Sequence, residues 1–407
     1  MELLHLKHTP KLSSSEISLP SSKSESNRAL ILNAFCNNTG NIENISEARD
    51  SQTMMRLLDS EEEVLDVIDA GTTMRFLTAY LAVGEGTNKL TGTRRMQQRP
   101  IGILVNALNE LGANITYDKK PGFPPLTVKP FKSQRSSVLS IRGDQSSQFI
   151  SALLMIAPRL PNGLKLKLEG HLGSKPYIQM TLNLIEKFGV ESDWNGDTIN
   201  ITAQNYSAAD YTIESDWSAA SYWYALVALS TSATIKLIGL RQNSTQGDIA
   251  IVSIMNKLGV MSTFEKDGVL LEKIPHSNEV AFDFSDCPDL AQTIAVTCAG
   301  KHIKCQMTGL ESLRIKETDR IKALKLELKK LNTSFKEVEP GTWEVNSKFE
   351  ADSNELSFET YEDHRMAMAF APIATLQKIT IQNPEVVSKS YPSFWTDLET
   401  AGILSEK

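Results

Sequence analysis

The sequence predicts an α/β fold assembled from a repeated unit. Three observations point to it. An amphipathic helix that ends in a glycine stop and runs into a short strand recurs along the chain. A second helix, apolar around most of its circumference and opened by polar residues, recurs between copies of the first. Short alternating strands separate them.

The first motif reads RPIGILVNALNELGANITY, KPYIQMTLNLIEKFGVESDW, DIAIVSIMNKLGVMSTFEKDGVLL and TDRIKALKLELKKLNTSFKEV. In its first copy Ile103, Leu104, Ala107, Leu108 and Leu111 fall at helical spacing. Gly112, Gly189 and Gly259 stand where a helix ends on a left-handed residue, and Asn332 takes that place in the fourth copy. A weaker copy lies in SQTMMRLLDSEEEVLDV. The second motif reads SNRALILNAFC, GTTMRFLTAYLAV, SSQFISALLMIAP, WSAASYWYALVAL, PDLAQTIAVTCAG and DHRMAMAFAPIATL. A helix apolar all round is a buried one. The expectation is therefore six β/α units, each with one buried and one exposed helix, and Trp223 and Tyr224 read as core. The period of about 72 residues from the second copy to the sixth is too long for the usual solenoid repeats. Strands are read at KLKLEGHL, TINITA, ATIKLIGL, HIKCQMTGL and KITIQNP.

Composition narrows the function. The 407 residues are enough for two domains with sizeable cores. A formal net charge of -7 argues against non-specific nucleic-acid binding. Cys36, Cys287, Cys298 and Cys305 form no CxxC pair and have no histidine at ligand spacing, so they read as reduced thiols, not as a metal site or a disulfide framework. The segment MELLHLKHTP lacks a signal peptide's basic start and apolar stretch, and no apolar run reaches the roughly 20 residues of a membrane span. The expectation is a cytoplasmic protein with no nucleic-acid or membrane partner. With no heptad pattern it reads as a monomer. His171, His276 and His302 stand alone and read as structural.

Chemistry gathers where the buried helices open. Those openings carry Lys23, Ser24 and Arg28; Gly71, Thr72 and Arg75; Ser146, Ser147 and Gln148; Asp216 and Ser218; Asp289; and His364 and Arg365. Ser24 and Ser26 are candidate caps of the first helix. A helix N-terminus carries partial positive charge and unsatisfied N–H groups, so lysine and arginine there favour an anion. One such opening is an ordinary cap; the full set predicts ligands with several negative charges.

Eight stretches then carry a resemblance: SKSESNRALILNAF, DAGTTMRFLTA, LTGTRRMQQRPI, SSQFISALLM, GSKPYIQMTLNL, RIKETDRIKAL, YEDHRMAMAF and VSKSYPSFW. In this order, over nearly the whole chain, they resemble the 5-enolpyruvylshikimate-3-phosphate synthase family, the 3-phosphoshikimate 1-carboxyvinyltransferases. The resemblance implies a two-domain inside-out α/β barrel of six βαβαββ repeats, three per domain. It puts residues 1–20 with 215–407 in the first domain and 21–214 in the second, with substrate ligands on both. The implied substrates are phosphoenolpyruvate and shikimate 3-phosphate. The implied reaction moves the enolpyruvyl group to the 5-hydroxyl and releases phosphate, by addition and elimination through a tetrahedral intermediate. No cofactor and no metal is implied.

The same resemblance implies roles. Asp289 takes the 5-hydroxyl proton, Glu317 serves the methylene carbon, and Lys23 lies where both substrates meet. Lys23, Ser24, Arg28, Ser146, Ser147, Gln148, Ser174, Tyr177, Asp289, Ser312 and Lys316 are the implied ligands of shikimate 3-phosphate. Lys23, Gly71, Arg99, Gln148, Arg320, His364, Arg365 and Lys389 are those of phosphoenolpyruvate. Guanidinium forks suit its carboxylate and phosphate. Read as residues alone, Asp289 is better explained as a helix cap and Glu317 as an ion-pair partner of Lys316 or Arg320; the complete set favours catalysis for both.

Two positions depart from the family. Asp69 stands where asparagine is usual, and a carboxylate there repels phosphate unless turned away or paired. Ser312 also replaces a usual asparagine and keeps one of its hydrogen-bonding functions. The rival readings are an enolpyruvyl transferase for a UDP-linked amino sugar and a non-catalytic anion-binding homologue. The first uses a loop cysteine, absent from TGTRRMQQRPIG; the second need not keep Asp289, Glu317 and the arginines together. Glyphosate, with a phosphonate and a carboxylate, is expected to compete with phosphoenolpyruvate beside Gly71, where an added methyl would point at the phosphonate.

Overall fold

Leu164–Glu169 shows how the strands are made: leucine alternates with lysine and glutamate, and the leucines are buried while the charges face water. The computed structural model describes residues 2–143, 146–170 and 172–406. His171, read above as structural, lies outside the described residues.

The repeat is complete in the stretch 64–129. A strand (Val64–Asp66) leads to a buried helix (Gly71–Ala82), a second strand (Asn88–Thr91), an outer helix (Gly102–Leu111) and two further strands (Asn114–Tyr117 and Leu126–Lys129). The first two strands pair in parallel and the others add antiparallel. The same order recurs from Val138–Arg142 to Thr198–Ile201 and from Glu279–Asp283 to Thr342–Ser347. The outer helices stop as their sequences direct: Gly112, Gly259 and Asn332 all have positive φ.

Three repeats are completed by strands distant in sequence. Ser15–Ser18 lies parallel to Thr234–Ile238, Leu3–Leu6 pairs with Ile379–Gln382, and Tyr211–Thr212 lies parallel to Ile42–Glu43. The chain accordingly divides into two compact units, residues 1–20 with 214–407 and residues 21–213.

Each unit has its own core around three buried helices. In one, Trp217–Leu229, Ala291–Gly300 and His364–Phe370 pack together, and Trp217, Trp223, Tyr222 and Tyr224 supply volume. In the other, Gly71–Ala82 packs against both Lys23–Phe35 and Ser147–Ile156. Burying such helices on all sides follows from their composition. The cap of the first buried helix is Ser22, which accepts from the Glu25 backbone N–H; this corrects the expectation of Ser24 or Ser26, which fall inside the helix. All four cysteines are buried free thiols.

Candidate active site

In the unit of residues 1–20 and 214–407, the predicted charges meet at one guanidinium. Arg320 opens the helix Arg320–Lys330, which is capped by Asp319, and its side chain is buried. Its Nη1 donates to Asp289 at 3.0 Å, its Nη2 to Glu317 at 2.9 Å, and its Nε to Asp363 at 2.7 Å. Arg365 donates from Nη2 to the other Asp289 oxygen at 2.8 Å, and Lys316 Nζ stands 3.9 Å from Asp289. Asp363 also caps the helix His364–Phe370, accepting from the Arg365 N–H at 2.9 Å. A single carboxylate thus fixes both the start of that helix and the Arg320 side chain.

Asp289 lies in the 3-10 turn Pro288–Leu290, before the helix Ala291–Gly300, and makes no capping bond; Leu290 holds the cap position. Burial opposes its ionisation, but Arg365, Lys316 and Arg320 outweigh burial and hold the carboxyl well below the usual carboxylate range. Burial pulls the Lys316 ammonium down. Burial also works against the Arg320 charge, and Asp363, Glu317 and Asp289 more than offset it. Behind Arg365, Tyr222 accepts from its Nη1 at 3.3 Å and Ser218 from its Nη2 at 3.4 Å. Ser218 donates in turn to the buried Asp248. His364 is buried with Nδ1 3.8 Å from Asp363, and Lys389 is buried in the turn Pro384–Lys389, which packs on the helix His364–Phe370. Ser312 lies half-buried in the turn Glu311–Ile315.

The unit of residues 21–213 holds the remaining predicted residues. Lys23 begins the helix Lys23–Phe35, with Nζ 3.4 Å from Asp50. Arg28 is buried and well anchored: Nε donates to Thr181 at 2.7 Å, Nη2 to Ser151 at 2.9 Å, and Nη1 to the Ser24 carbonyl at 2.8 Å. Its guanidinium also lies 6.0 Å from the Tyr177 ring centre. Burial lowers its pKa to about 10, so it stays charged at neutral pH. Ser146 caps the helix Ser147–Ile156 at the Gln148 N–H, and Gln148 Nε2 donates to Thr72 at 3.1 Å. Ser174 holds the left-handed cap position of the helix Lys175–Lys187.

Gly71 and Arg99 are in close contact. A Cβ on Gly71 would lie 2.6 Å from Arg99 Nη1 and 2.8 Å from its Cζ. An added methyl here would meet the Arg99 guanidinium. Asp69 is paired, both its oxygens accepting from Arg49 Nη2, at 3.1 and 2.9 Å. Among the described residues, no group of three or more His, Cys, Asp and Glu could hold a metal ion, and no helix is long and apolar enough to cross a membrane.

A family model described as EPSP synthase (3-phosphoshikimate 1-carboxyvinyltransferase) matches residues 57–398. The chain belongs to the EPSP synthase family. It is 47% identical over 403 residues to a 3-phosphoshikimate 1-carboxyvinyltransferase of Bacteroides fragilis (strain YCH46), covering 98% of each chain. It is 35% identical over 429 residues to one of Vibrio campbellii, covering 98% of this chain and 99% of that one. A solved EPSP synthase from Acinetobacter baumannii superposes with a TM-score of 0.77 at 19% identity, over 100% of this chain and 99% of that one, and so shares the fold.

Several residues of this EPSP synthase family member touch the predicted set but escape a reading of the sequence. Asp363 carries a signal, because an aspartate directly before a helix is a cap and its second oxygen is then available to a neighbour. Asp50, Ser151, Thr181 and Tyr222 carry none. Each sits in a helix pattern that reads equally well with the side chain solvated or in the core, and only the tertiary register brings it to Lys23, Arg28 or Arg365.

Proposed function

We propose that Asp289 and Glu317 are the base and the acid of a carboxyvinyl transfer from phosphoenolpyruvate to the 5-hydroxyl of shikimate 3-phosphate, the reaction of the EPSP synthase family in making aromatic amino acids. The observation that carries the assignment is the Arg320 fork, which donates to Asp289 from one Nη and to Glu317 from the other, at 3.0 and 2.9 Å. A base and an acid are thereby set on two sides of one fixed cation.

The addition step forms the bond from the 5-oxygen to C2 of phosphoenolpyruvate. Asp289 takes the hydroxyl proton, and Glu317 delivers a proton to the methylene carbon. In the elimination step Glu317 takes a proton back from the new methyl group, the C2–phosphate bond breaks, and Asp289 returns its proton to the departing phosphate. Arg320, Arg365, Lys389, Arg99 and Lys23, with Gly71, Gln148 and His364, bind phosphoenolpyruvate. Lys23, Ser24, Arg28, Ser146, Ser147, Gln148, Ser174, Tyr177, Ser312 and Lys316 bind shikimate 3-phosphate.

With no ligand, Arg320 and Arg365 are occupied by Asp289. An incoming carboxylate or phosphate competes for those guanidiniums, and as it draws them away the Asp289 carboxyl becomes more basic. Substrate binding in this way switches on the base. The family match favours neither the UDP-amino-sugar reading nor the non-catalytic one. The enzyme acts as a monomer in the cytoplasm, a compartment that suits four free thiols.

The test is phosphate release in a coupled assay. Release requires phosphoenolpyruvate and shikimate 3-phosphate together, and Asp289→Asn lowers turnover by about a hundredfold or more. Release without shikimate 3-phosphate, or near-parental turnover in Asp289→Asn, contradicts the proposal.

A further inference from the structure

Side chains of the helix Arg49–Leu58 reach Lys23 and the segment that leads into Gly71. Asp50, in its first turn, stands 3.4 Å from Lys23. Its neighbour Arg49 binds Asp69, two residues before Gly71, at 3.1 and 2.9 Å. Two turns further on the same face, Arg56 donates to the Asp66 carbonyl at 2.8 Å. Arg49 and Arg56 therefore hold the two ends of the segment 66–69 that leads into Gly71.

That segment is a tight turn in an unfavourable conformation. The Ala70 N–H donates to the Val67 carbonyl at 2.9 Å, and between them Ile68 has φ +56°. A β-branched residue rarely adopts the left-handed region. The turn is fixed from other sides as well: the Ile68 N–H donates to the Asp66 side chain at 2.8 Å, and the Thr93 N–H to the Ile68 carbonyl at 2.8 Å. A conformation that its own residue disfavours persists only where the surroundings impose it.

We propose that Arg49 is a positioning residue for phosphoenolpyruvate: it neutralises Asp69 and holds the Val67–Ala70 turn so that Gly71 and Arg99 can receive the substrate's phosphate. Arg49 touches no substrate in this account; it acts through Asp69. The inference rests on the assignment of Gly71 and Arg99 as phosphoenolpyruvate ligands. Its physical content is that a carboxylate this close to the anion site is compatible with binding only while a cation is bound to it. It also explains how this chain carries Asp69 where the family usually has an uncharged amide.

Steady-state kinetics of four proteins test it: the parent, Arg49→Ala, Asp69→Asn and the double variant. Arg49→Ala raises KM for phosphoenolpyruvate about five- to tenfold, with KM for shikimate 3-phosphate and kcat changed less than about twofold. Added salt shrinks the effect, because the exposed carboxylate is screened. Asp69→Asn alone stays near the parent, and the double variant returns to within about twofold of it, since a neutral amide needs no cation. A merely structural role for Arg49 would move both KM values together and would not be rescued by removing a second side chain. An unchanged KM for phosphoenolpyruvate in Arg49→Ala, or a double variant as impaired as Arg49→Ala, overturns the proposal while leaving the carboxyvinyl transfer intact. An inactive parent overturns the functional assignment and this inference with it.

Discussion

Arg320 shows how much of the site depends on a few charges. Three carboxylates bind one buried guanidinium, and a second guanidinium shares Asp289. Such a cluster is stable only while the charges balance, because each is largely removed from water. The next carboxylate outward behaves in the opposite way. Asp248 is buried beside Ser218, and burial, with the nearby Asp289 charge, pushes its carboxyl up to about 7. Arg365 and the hydrogen bond from Ser218 pull it back, while Asp216 adds to the rise. Between the ordinary carboxylate range and about pH 7 the folded protein holds a proton on Asp248 that the unfolded chain releases, so this residue's contribution falls as pH rises through that window and is level above it. Asp248→Asn mimics the protonated form at every pH. Its melting temperature relative to the parent should therefore be several degrees more favourable at about pH 8 than at about pH 5. An equal difference at both pH values would show that Asp248 does not titrate in this window.

At the scale of elements, the buried helices carry charged and polar side chains at their first turns, and that much is legible in the sequence. Lysine, arginine, serine and aspartate directly before an apolar run mark an opening with unsatisfied N–H groups. Their partners are less legible. The cap of Lys23–Phe35 is Ser22, although Ser24 and Ser26 fit the pattern equally well, because the choice depends on where the incoming chain leaves extended geometry. Gly71 was legible as a close-approach residue, but what approaches it is Arg99, a side chain 28 positions away whose location no local pattern gives. The consequence is specific. Gly71→Ala must displace the Arg99 guanidinium, a flexible end that can move at modest cost, so folding survives and anion binding suffers. We predict a rise of about tenfold in KM for phosphoenolpyruvate and a larger rise in the inhibition constant for glyphosate, whose longer chain between its two anions leaves less room to adjust. Initial-rate curves with both ligands varied measure this. Equal losses for the two ligands would place the methyl group away from the phosphonate.

The whole molecule is six versions of one unit, three around each core. The alternation of buried and outer helices makes the repeat visible, since the outer ones carry an apolar stripe and the buried ones are apolar nearly all round. The completion of the sheets was not visible from periodicity. Ser15–Ser18 pairs with Thr234–Ile238, and Tyr211–Thr212 with Ile42–Glu43, across stretches that carry no local signal of partnership. These long-range pairings make each unit contiguous in space although one is broken in sequence. They also distribute the assigned ligands over both units, Lys23, Arg28, Arg99 and Gln148 on one and Asp289, Glu317, Arg320 and Arg365 on the other. On the proposed assignment, the chemistry draws on residues of both units and on both substrates.

That requirement can be read at a single carbon. If Glu317 protonates the methylene of phosphoenolpyruvate and then removes any one of three methyl hydrogens, reversible turnover in deuterium oxide must place deuterium on that carbon. Phosphoenolpyruvate recovered after partial turnover, examined by proton NMR, gives the answer directly. Deuterium is expected at the methylene only when shikimate 3-phosphate is present, and is lost in Glu317→Gln. Deuterium incorporated without shikimate 3-phosphate, or undiminished in Glu317→Gln, would contradict it.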